Sequence, residues 1–209
     1  MRIYLAGPEV FMADRGAAVG AEKRSICAAH GLVGVLPVEE GGPAATAAVG
    51  ARDPAWFWLY RGNEELIRGC DALIANLTPF RGPSADPGTV FELGLMRGFG
   101  RPVLGYANAA GRFGTRTLRA LGPAAKRRPD GTWEDAEGMA VEDFDLHDNL
   151  MLEGGIRASG GVFAAEAVPG ERRWRDLSAF SRCVAAAAAI LRAAGGGGGG
   201  GQPGSVSRA

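Results

Sequence analysis

The sequence predicts an α/β protein, a three-layer sandwich in which helices cover both faces of a parallel sheet. Short apolar stretches of strand length alternate along the chain with longer segments of helical pattern. The clearest case is the run over residues 70–106, which reads as a strand, a polar loop, a helix and a second strand. Such βαβ units have parallel strands and right-handed crossovers. The arrangement they favour is closest to a flavodoxin-like sheet.

The individual elements follow from apolar periodicity and from Gly and Pro as stop signals. In order, we predict a strand over 2–6, a helix over 16–30, a strand over 32–37, a loop over 39–52, a helix from Asp53 and Pro54 to about 69, a strand over 71–77, a helix over 90–99, a strand over 102–106, a long excursion over 107–139 with a turn at Asp130 and Gly131, a loop over 154–161 and a closing helix over 174–194. We expect residues 1–194 to form a single domain, since the chain is long enough for one sizeable core. Residues 195–209 begin with seven glycines and are expected to be a disordered tail, because they have nothing apolar to bury.

Composition argues against several classes of function. The chain has 23 basic and 23 acidic residues, so nothing favours nucleic acid or an anionic membrane as a partner. No apolar run approaches the roughly 20 residues that span a bilayer. The three cysteines lie far apart and form no CxxC pair, which is typical of reduced thiols in a cytoplasmic protein.

Metal and cofactor signatures are also missing from the sequence. The two histidines, His30 and His147, lie in no ligand-spaced cluster, so no metal site is predicted. There is no GxGxxG after the first strand and no GxxxxGK[ST], so neither a dinucleotide fold nor a P-loop is indicated. We therefore expect no cofactor.

Chemistry is expected at one edge of the predicted sheet. In open parallel sheets ligands bind beyond the carboxyl ends of the strands. The loops over residues 9–16 and 78–89 both leave strands at that edge. The second loop leads directly into the helix that carries Glu92.

Glu92 is the one acid in the apolar run over 90–96, whose apolar character on nearly every side predicts a buried helix. A carboxylate is rarely buried unless it is paired or used in chemistry. A structural interpretation has about equal support: Thr89 and Glu92 fit a capping box, with Thr89 as the N-cap. Asp86 adds a second carboxylate to the loop, although Asp-Pro-Gly is also ordinary turn chemistry.

Four motifs resemble those of the nucleoside 2-deoxyribosyltransferase family. They are YLAGP from Tyr4, DALIANL from Asp71, Asp86 followed after five residues by Glu92-Leu-Gly, and DNLM from Asp148. Together they span about residues 1–152, roughly three quarters of the chain. The family's fold agrees with the sandwich predicted above.

The resemblance implies a role for each matching residue. Glu92 would be the nucleophile that attacks C1′ of a 2′-deoxynucleoside and forms a covalent glycosyl-enzyme, which a second base then attacks. Tyr4 would orient Glu92, and Asp86 would bind a sugar hydroxyl. Asn149 would reach the sugar in a neighbouring subunit's site, which predicts a homodimer or larger homo-oligomer. The residues alone leave open that Asn149 is simply a helix N-cap.

The substrate-binding residues are less directly matched. Asn63 lies where some family members carry an aspartate near the base; an amide cannot donate a proton as a carboxylic acid does, but it can hydrogen-bond a base edge. Gly7, Glu9 and Phe11, in and after the Gly-Pro turn, are predicted to line the base pocket.

Three functions are weighed. The leading one is deoxyribosyl transfer between a 2′-deoxynucleoside and a free nucleobase. The second is a (deoxy)nucleoside 5′-monophosphate N-glycosidase, with Arg81 and Ser84 as phosphate donors, although the Asp86 carboxylate would repel a phosphate. The third is a non-catalytic nucleotide-binding module in which Glu92 is only a helix cap.

Overall fold

A computed structural model describes residues 1–37 and 53–196 of the chain. The strands are β1 (Arg2–Ala6), β2 (Val33–Val35), β3 (Ala72–Asn76), β4 (Val103–Ala107), β5 (Lys126–Arg127), β6 (Trp133–Glu134) and β7 (Phe163–Ala165). Five of them form one parallel sheet in the order β2-β1-β3-β4-β7, while β5 and β6 pair as a small antiparallel ribbon. This is the flavodoxin-like order, and the predicted α/β fold is confirmed.

The helices of the described residues cover both faces of the sheet. They are α1 (Ala17–Ala29), α2 (Ala55–Arg68), α3 (Pro87–Gly98), α4 (Phe113–Leu121), α5 (Leu150–Ala158) and α6 (Ser178–Gly196). Side chains of α1 and α6 form one half of the core, and side chains of α2, α3 and α5 form the other. None of these helices combines the length and the apolar character that crossing a membrane requires.

The first strand shows how the chain is divided between the two layers. Ile3 and Leu5 pack with α1 and α6, while Tyr4 and Ala6 pack with α2 and α3. Successive residues of a strand point to opposite faces, so this alternation is a property of β1 itself. It places the Tyr4 side chain on the same face as the helix that carries Glu92.

The sequence prediction differs from the structure at three elements in the second half of the chain, α4, α5 and β7. Residues 154–161 were expected to form a loop, but α5 extends to Ala158 and β7 follows. Gly154 and Gly155 lower the helical propensity, and the burial of Leu152 and Ile156 against the sheet offsets that loss. Helix α4 lies within the expected excursion, where the turn at Asp130 and Gly131 is confirmed as the connection between β5 and β6.

Several helix ends differ from the prediction. Helix α2 begins at Ala55 with Pro54 as its N-cap, and α6 begins at Ser178 rather than at 174. Helix α6 also extends to Gly196, two residues into the predicted tail. The rest of that tail, and the predicted loop over 39–52, lie outside the described residues. The expectation that the helix carrying Glu92 is buried on nearly every side is wrong, because Phe91 is 55% exposed.

Candidate active site

Tyr4 and Glu92 form a hydrogen-bonded pair at the carboxyl end of the sheet. The Tyr4 hydroxyl donates to Glu92 Oε1 at 2.6 Å. Tyr4 is fully buried, and burial, followed by the neighbouring Glu92 carboxylate, raises its pKa far above the usual value. Tyr4 therefore remains a hydroxyl donor to Glu92 at every physiological pH.

Glu92 is not a helix cap. Helix α3 begins at Pro87, and its N-cap is Asp86, whose Oδ2 accepts hydrogen bonds from Thr89 N at 2.9 Å and Thr89 Oγ1 at 3.1 Å. The capping-box interpretation, with Thr89 as N-cap, is wrong because proline is favoured at the first helical position and aspartate just before it. Glu92 consequently lies in the second turn, and the non-catalytic module loses the observation on which it was based.

The environment of Glu92 disfavours its charge. Burial is the largest effect on the carboxyl group; the hydrogen bond from Tyr4 lowers the pKa and the Asp86 carboxylate raises it. The net result is a pKa raised from 4.5 to about 7. The carboxylate and the carboxylic acid are therefore both well populated at neutral pH. Such a shift on a carboxylate in a cleft is typical of catalytic groups.

Glu92 and Asp86 share a cavity of about 330 Å³. It opens beside the carboxyl ends of β1 and β3, where the strand order reverses and where ligands of this fold class bind. The described residues that line it are Gly7, Val10, Phe11, Arg15, Pro37, Leu59, Asn63, Asp86, Gly88, Thr89 and Glu92. The volume suits a small-molecule ligand, and the lining combines apolar surface with a few polar groups.

Most of the predicted site residues meet in this cavity. Glu92, Asp86, Asn63, Gly7 and Phe11 line it directly, and Tyr4 supports Glu92 from behind. These residues come from β1, the loop after it, α2 and α3. The structure thus brings together positions from the first 92 residues of the chain.

Aromatic rings border the cavity on one side. The rings of Phe11 and Phe80 stack with their centroids 5.3 Å apart, and the Arg81 guanidinium lies 4.6 Å from the centroid of Phe80. Phe11 is 56% exposed, and the same guanidinium lies 5.2 Å from the centroid of its ring. A flat, exposed aromatic ring at a cavity wall is suited to stacking on a planar base. Arg81, one of the two predicted phosphate donors, is held against these rings.

The structure does not place Glu9 among the residues that line this cavity. Its side chain turns inward, is 8% exposed, and accepts hydrogen bonds from Lys23, from Asn76 Nδ2 at 2.8 Å and from the Tyr106 hydroxyl at 3.2 Å. A buried carboxylate requires donors, and these three residues supply them. Burial alone would raise the pKa of Glu9, but Lys23 and Asn76 lower it below its usual value.

Asn149 also lies outside the cavity of its own chain. It is the N-cap of α5: Oδ1 accepts from Met151 N at 3.0 Å, while Nδ2 donates to Glu142 Oε2 at 2.6 Å. The N-cap interpretation is confirmed. The preceding Asp148 is fully buried and accepts hydrogen bonds from Ser84 Oγ and Ala85 N.

This contact gives the DNLM motif a structural role. The hydrogen bonds to Asp148 connect the start of α5 to the loop that ends at Asp86. They also mean that Ser84, the second predicted phosphate donor, already donates its hydroxyl hydrogen to a carboxylate.

The sequence analysis missed Arg15 as a cavity residue. Arg15 has a left-handed backbone, with φ of 53°, and it lines the cavity that contains Glu92 and Asp86. The available signal was its position in the loop over 9–16, which was expected at the ligand-binding edge. Among the described residues there is no group of three or more His, Cys, Asp or Glu side chains placed to hold a metal ion.

The chain is similar to known proteins in sequence and in structure. The sequence profile of a family described as "Nucleoside 2-deoxyribosyltransferase" matches residues 3–151. An uncharacterized protein of Schizosaccharomyces pombe is 33% identical over 180 residues, covering 78% of this chain and 81% of that protein.

Solved structures are also similar. A 2-desoxiribosyltransferase from Leishmania mexicana has a TM-score of 0.53 at 29% identity, covering 72% of this chain and 84% of that one. A 2-deoxyribosyltransferase from Bacillus psychrosaccharolyticus has a TM-score of 0.42 at 21% identity, covering 58% of this chain and 82% of that one.

Proposed function

This chain belongs to the nucleoside 2-deoxyribosyltransferase family, and from that premise we propose that it transfers the 2-deoxyribosyl group of a 2′-deoxynucleoside between nucleobases. The observation that carries the proposal is the Tyr4–Glu92 pair, whose glutamate lines the cavity beside β1 and β3. A glutamate of raised pKa, held by a tyrosine and facing a cleft of nucleoside-binding size, is suited to nucleophilic catalysis. The Glu92 carboxylate is not used to cap a helix, because Asp86 is the N-cap of α3.

In the first step of the proposed reaction a carboxylate oxygen of Glu92 attacks C1′. The C1′–N bond breaks, its electron pair leaves with the base, and a glycosyl ester forms on Glu92. Positive charge develops on the sugar in the transition state, and the Asp86 carboxylate in the same cavity stabilises it electrostatically. Oε1 is the oxygen that accepts from Tyr4, so Oε2 is the one left to bond carbon.

In the second step a nitrogen of a different base attacks the same carbon and gives up its proton, which balances the proton that the first base takes up after it leaves with the electron pair. The ester bond breaks, and Glu92 recovers its carboxylate, which Tyr4 again hydrogen-bonds. Two inversions give net retention at C1′. Transfer prevails over hydrolysis when the incoming base excludes water, and the apolar side chains of Val10, Phe11 and Leu59 line the cavity where it would bind.

The other predicted residues receive distinct roles in this proposal. Asp86 accepts a hydrogen bond from a sugar hydroxyl through Oδ1, because Oδ2 caps α3. Phe11 stacks on the base, and the Asn63 amide hydrogen-bonds a base edge. Gly7 provides backbone at the cavity wall.

We propose in addition that the active site is completed by a second copy of the chain. Asn149 lies outside its own chain's cavity, so a role at the sugar requires a neighbouring subunit. Exposed apolar side chains are available for such an interface: Trp56, Tyr60 and Phe91 on α2 and α3, and Leu150 and Met151 directly after Asn149. Exposed large apolar side chains that lie together are typical of interaction sites.

The decisive experiment is base exchange. The protein is incubated with a 2′-deoxynucleoside and a different free nucleobase, and the products are separated by chromatography. We expect the new deoxynucleoside to form with its original anomeric configuration, and purine and pyrimidine donors are tested separately. Absence of exchange with every donor and acceptor would contradict the proposal.

The second candidate is a nucleoside 5′-monophosphate N-glycosidase, and Arg15 is the observation that favours it. Arg15 is one of the described residues that line the cavity, and its positive charge attracts a phosphate. Asp86 in the same cavity repels one. Supplying the 5′-monophosphate without a free base separates the candidates: release of sugar phosphate indicates the glycosidase, and an inert monophosphate indicates the transferase.

A further inference from the structure

A buried polar cluster lies directly behind the cavity wall, and the chemistry proposed above does not use it. Glu9 Oε1 receives donors from three separate elements: Lys23 of α1, Asn76 at the end of β3 and Tyr106 of β4. Lys23 is only 3% exposed, and its ammonium also lies 5.5 Å from the centroid of the Tyr106 ring. A buried lysine and glutamate at this position need an explanation.

Glu9 holds the loop after β1, residues 7–16, which we call the β1 loop. A Cβ atom on Gly7 would lie 2.0 Å from Glu9 Oε2, so the carboxylate folds back beneath that residue. The Glu9 carbonyl accepts from Met12 N at 2.9 Å, and a Cβ atom on Gly16 would lie 2.9 Å from the same carbonyl oxygen. Both ends of the β1 loop are thus packed around Glu9.

The β1 loop is a wall of the proposed active site. It supplies Gly7, Val10, Phe11 and Arg15 to the cavity opposite Asp86 and Glu92. Asn76 extends the attachment, because its Nδ2 donates to Glu9 while its Oδ1 accepts from Thr78 N at 3.0 Å. The Asn76 side chain therefore fixes the position of the β1 loop relative to the loop after β3.

Stability alone explains this cluster poorly. Removing two charges from water costs free energy that their mutual attraction only partly restores, and well-packed apolar residues often do as well or better. A buried ion pair is better suited to fixing one arrangement among several of similar packing. Here the arrangement that is fixed is the position of a cavity wall.

We propose that Glu9 and Lys23 are positioning residues that set the wall of the nucleoside site through the β1 loop. The inference rests on the proposed function for its kinetic test. Neither side chain touches the reacting atoms. Loss of the pair should therefore weaken substrate binding while leaving the chemistry of Glu92 largely intact.

The kinetic test uses Glu9→Gln and the double variant Glu9→Gln/Lys23→Met, which removes both buried charges and so avoids an unpaired one. We expect KM for the 2′-deoxynucleoside to rise at least about tenfold while kcat changes by less than about threefold. The acid limb of the pH profile should stay in place, because Glu9 does not contact Glu92. The matched control is Asp176→Asn, another buried carboxylate; neither Asp176 nor its partner Arg172 is among the described residues that line the cavity. We expect it to lower thermal stability without changing KM.

A second readout is independent of activity. Hydrogen–deuterium exchange of the peptide covering the β1 loop, measured without substrate, should be faster in the double variant and unchanged in Asp176→Asn. An unchanged KM, or an equal rise of KM in the control, would overturn the positioning role. If the wild-type protein exchanges no bases, the proposed function is wrong. The positioning role is then tested only by the hydrogen–deuterium exchange of the β1 loop.

Discussion

The hydroxyl of Tyr4 and the carboxylate of Glu92 lie 2.6 Å apart although 88 positions separate them in the chain. The contact joins the first strand to the second turn of α3. Since Tyr4 stays protonated, its hydrogen bond always favours the ionised form of Glu92. Burial and Asp86 act in the opposite direction, and their balance sets the pKa near 7.

The first prediction concerns removal of the nucleophile. Glu92→Gln preserves the size of the side chain and an acceptor for Tyr4, but an amide cannot form the glycosyl ester. We expect kcat/KM for base exchange to fall at least about a thousandfold, roughly 4 kcal/mol in barrier. Glu171→Gln, at an exposed glutamate that does not line the cavity, should exchange bases at the wild-type rate. Near wild-type exchange by Glu92→Gln would remove Glu92 from the nucleophile role.

The second prediction concerns pH. Only the carboxylate attacks C1′, so kcat/KM should fall about tenfold per pH unit on the acid side of the Glu92 pKa of about 7. Tyr4→Phe removes the hydrogen bond that lowers this pKa, so the acid limb should move to higher pH. Asp86→Asn removes the charge that raises it while keeping an N-cap, so the limb should move to lower pH. Profiles of kcat/KM from about pH 5 to 9 measure both shifts. If the acid limb moved in the same direction in both variants, this explanation of the Glu92 pKa would be wrong.

The third prediction links the same pKa to stability. A carboxyl group whose pKa rises on folding binds its proton more tightly in the folded state. The free energy of unfolding therefore falls as the pH rises from 4.5 to about 7, and it falls no further from this cause above that range. From the size of the shift the loss is on the order of 3 kcal/mol.

Glu92→Gln should relieve this cost. We expect its free energy of unfolding to exceed that of the wild type by roughly 3 kcal/mol at about pH 8, and the difference to vanish below about pH 4. Urea denaturation at the two pH values measures it. Glu171→Gln should show no pH-dependent gain, and a Glu92→Gln variant no more stable than wild type at high pH would show that Glu92 is not strained by burial.

The fourth prediction separates the two roles of Asn149. Asn149→Ser keeps a side-chain acceptor for Met151 N, so its free energy of unfolding should change by less than about 0.5 kcal/mol. Asn149→Ala loses the cap and should be about 1 kcal/mol less stable. If Asn149 serves a partner's site, both variants should lose about tenfold in base exchange, because both lack the amide.

Dilution gives an independent check on the shared site. Specific activity should fall when the protein is diluted below the dissociation constant of the assembly, and sedimentation should show smaller species over the same range. Full activity of a monomer would rule out a shared site.

Local sequence patterns were sufficient for the first half of the fold. Strand β1 was predicted with its observed bounds, because apolar alternation between polar turns is a local signal. Strand β7 was missed, since it is three residues long and gains its stability from pairing with β4. The N-cap of α3 was assigned to the wrong residue because Asp86 and Thr89 both fit a cap by spacing, and only the backbone distinguishes them.

The sequence by itself determined the α/β class, the edge of the sheet at which the cavity lies and the family to which the chain belongs, because these follow from periodicity and short motifs. The tertiary structure alone decided which polar side chains face the cavity. Glu9 and Phe11 lie two positions apart in one turn, yet Phe11 borders the cavity and Glu9 is paired with Lys23 inside the protein. That difference depends on donors supplied by α1, β3 and β4, which are distant in sequence and meet Glu9 only in the folded chain.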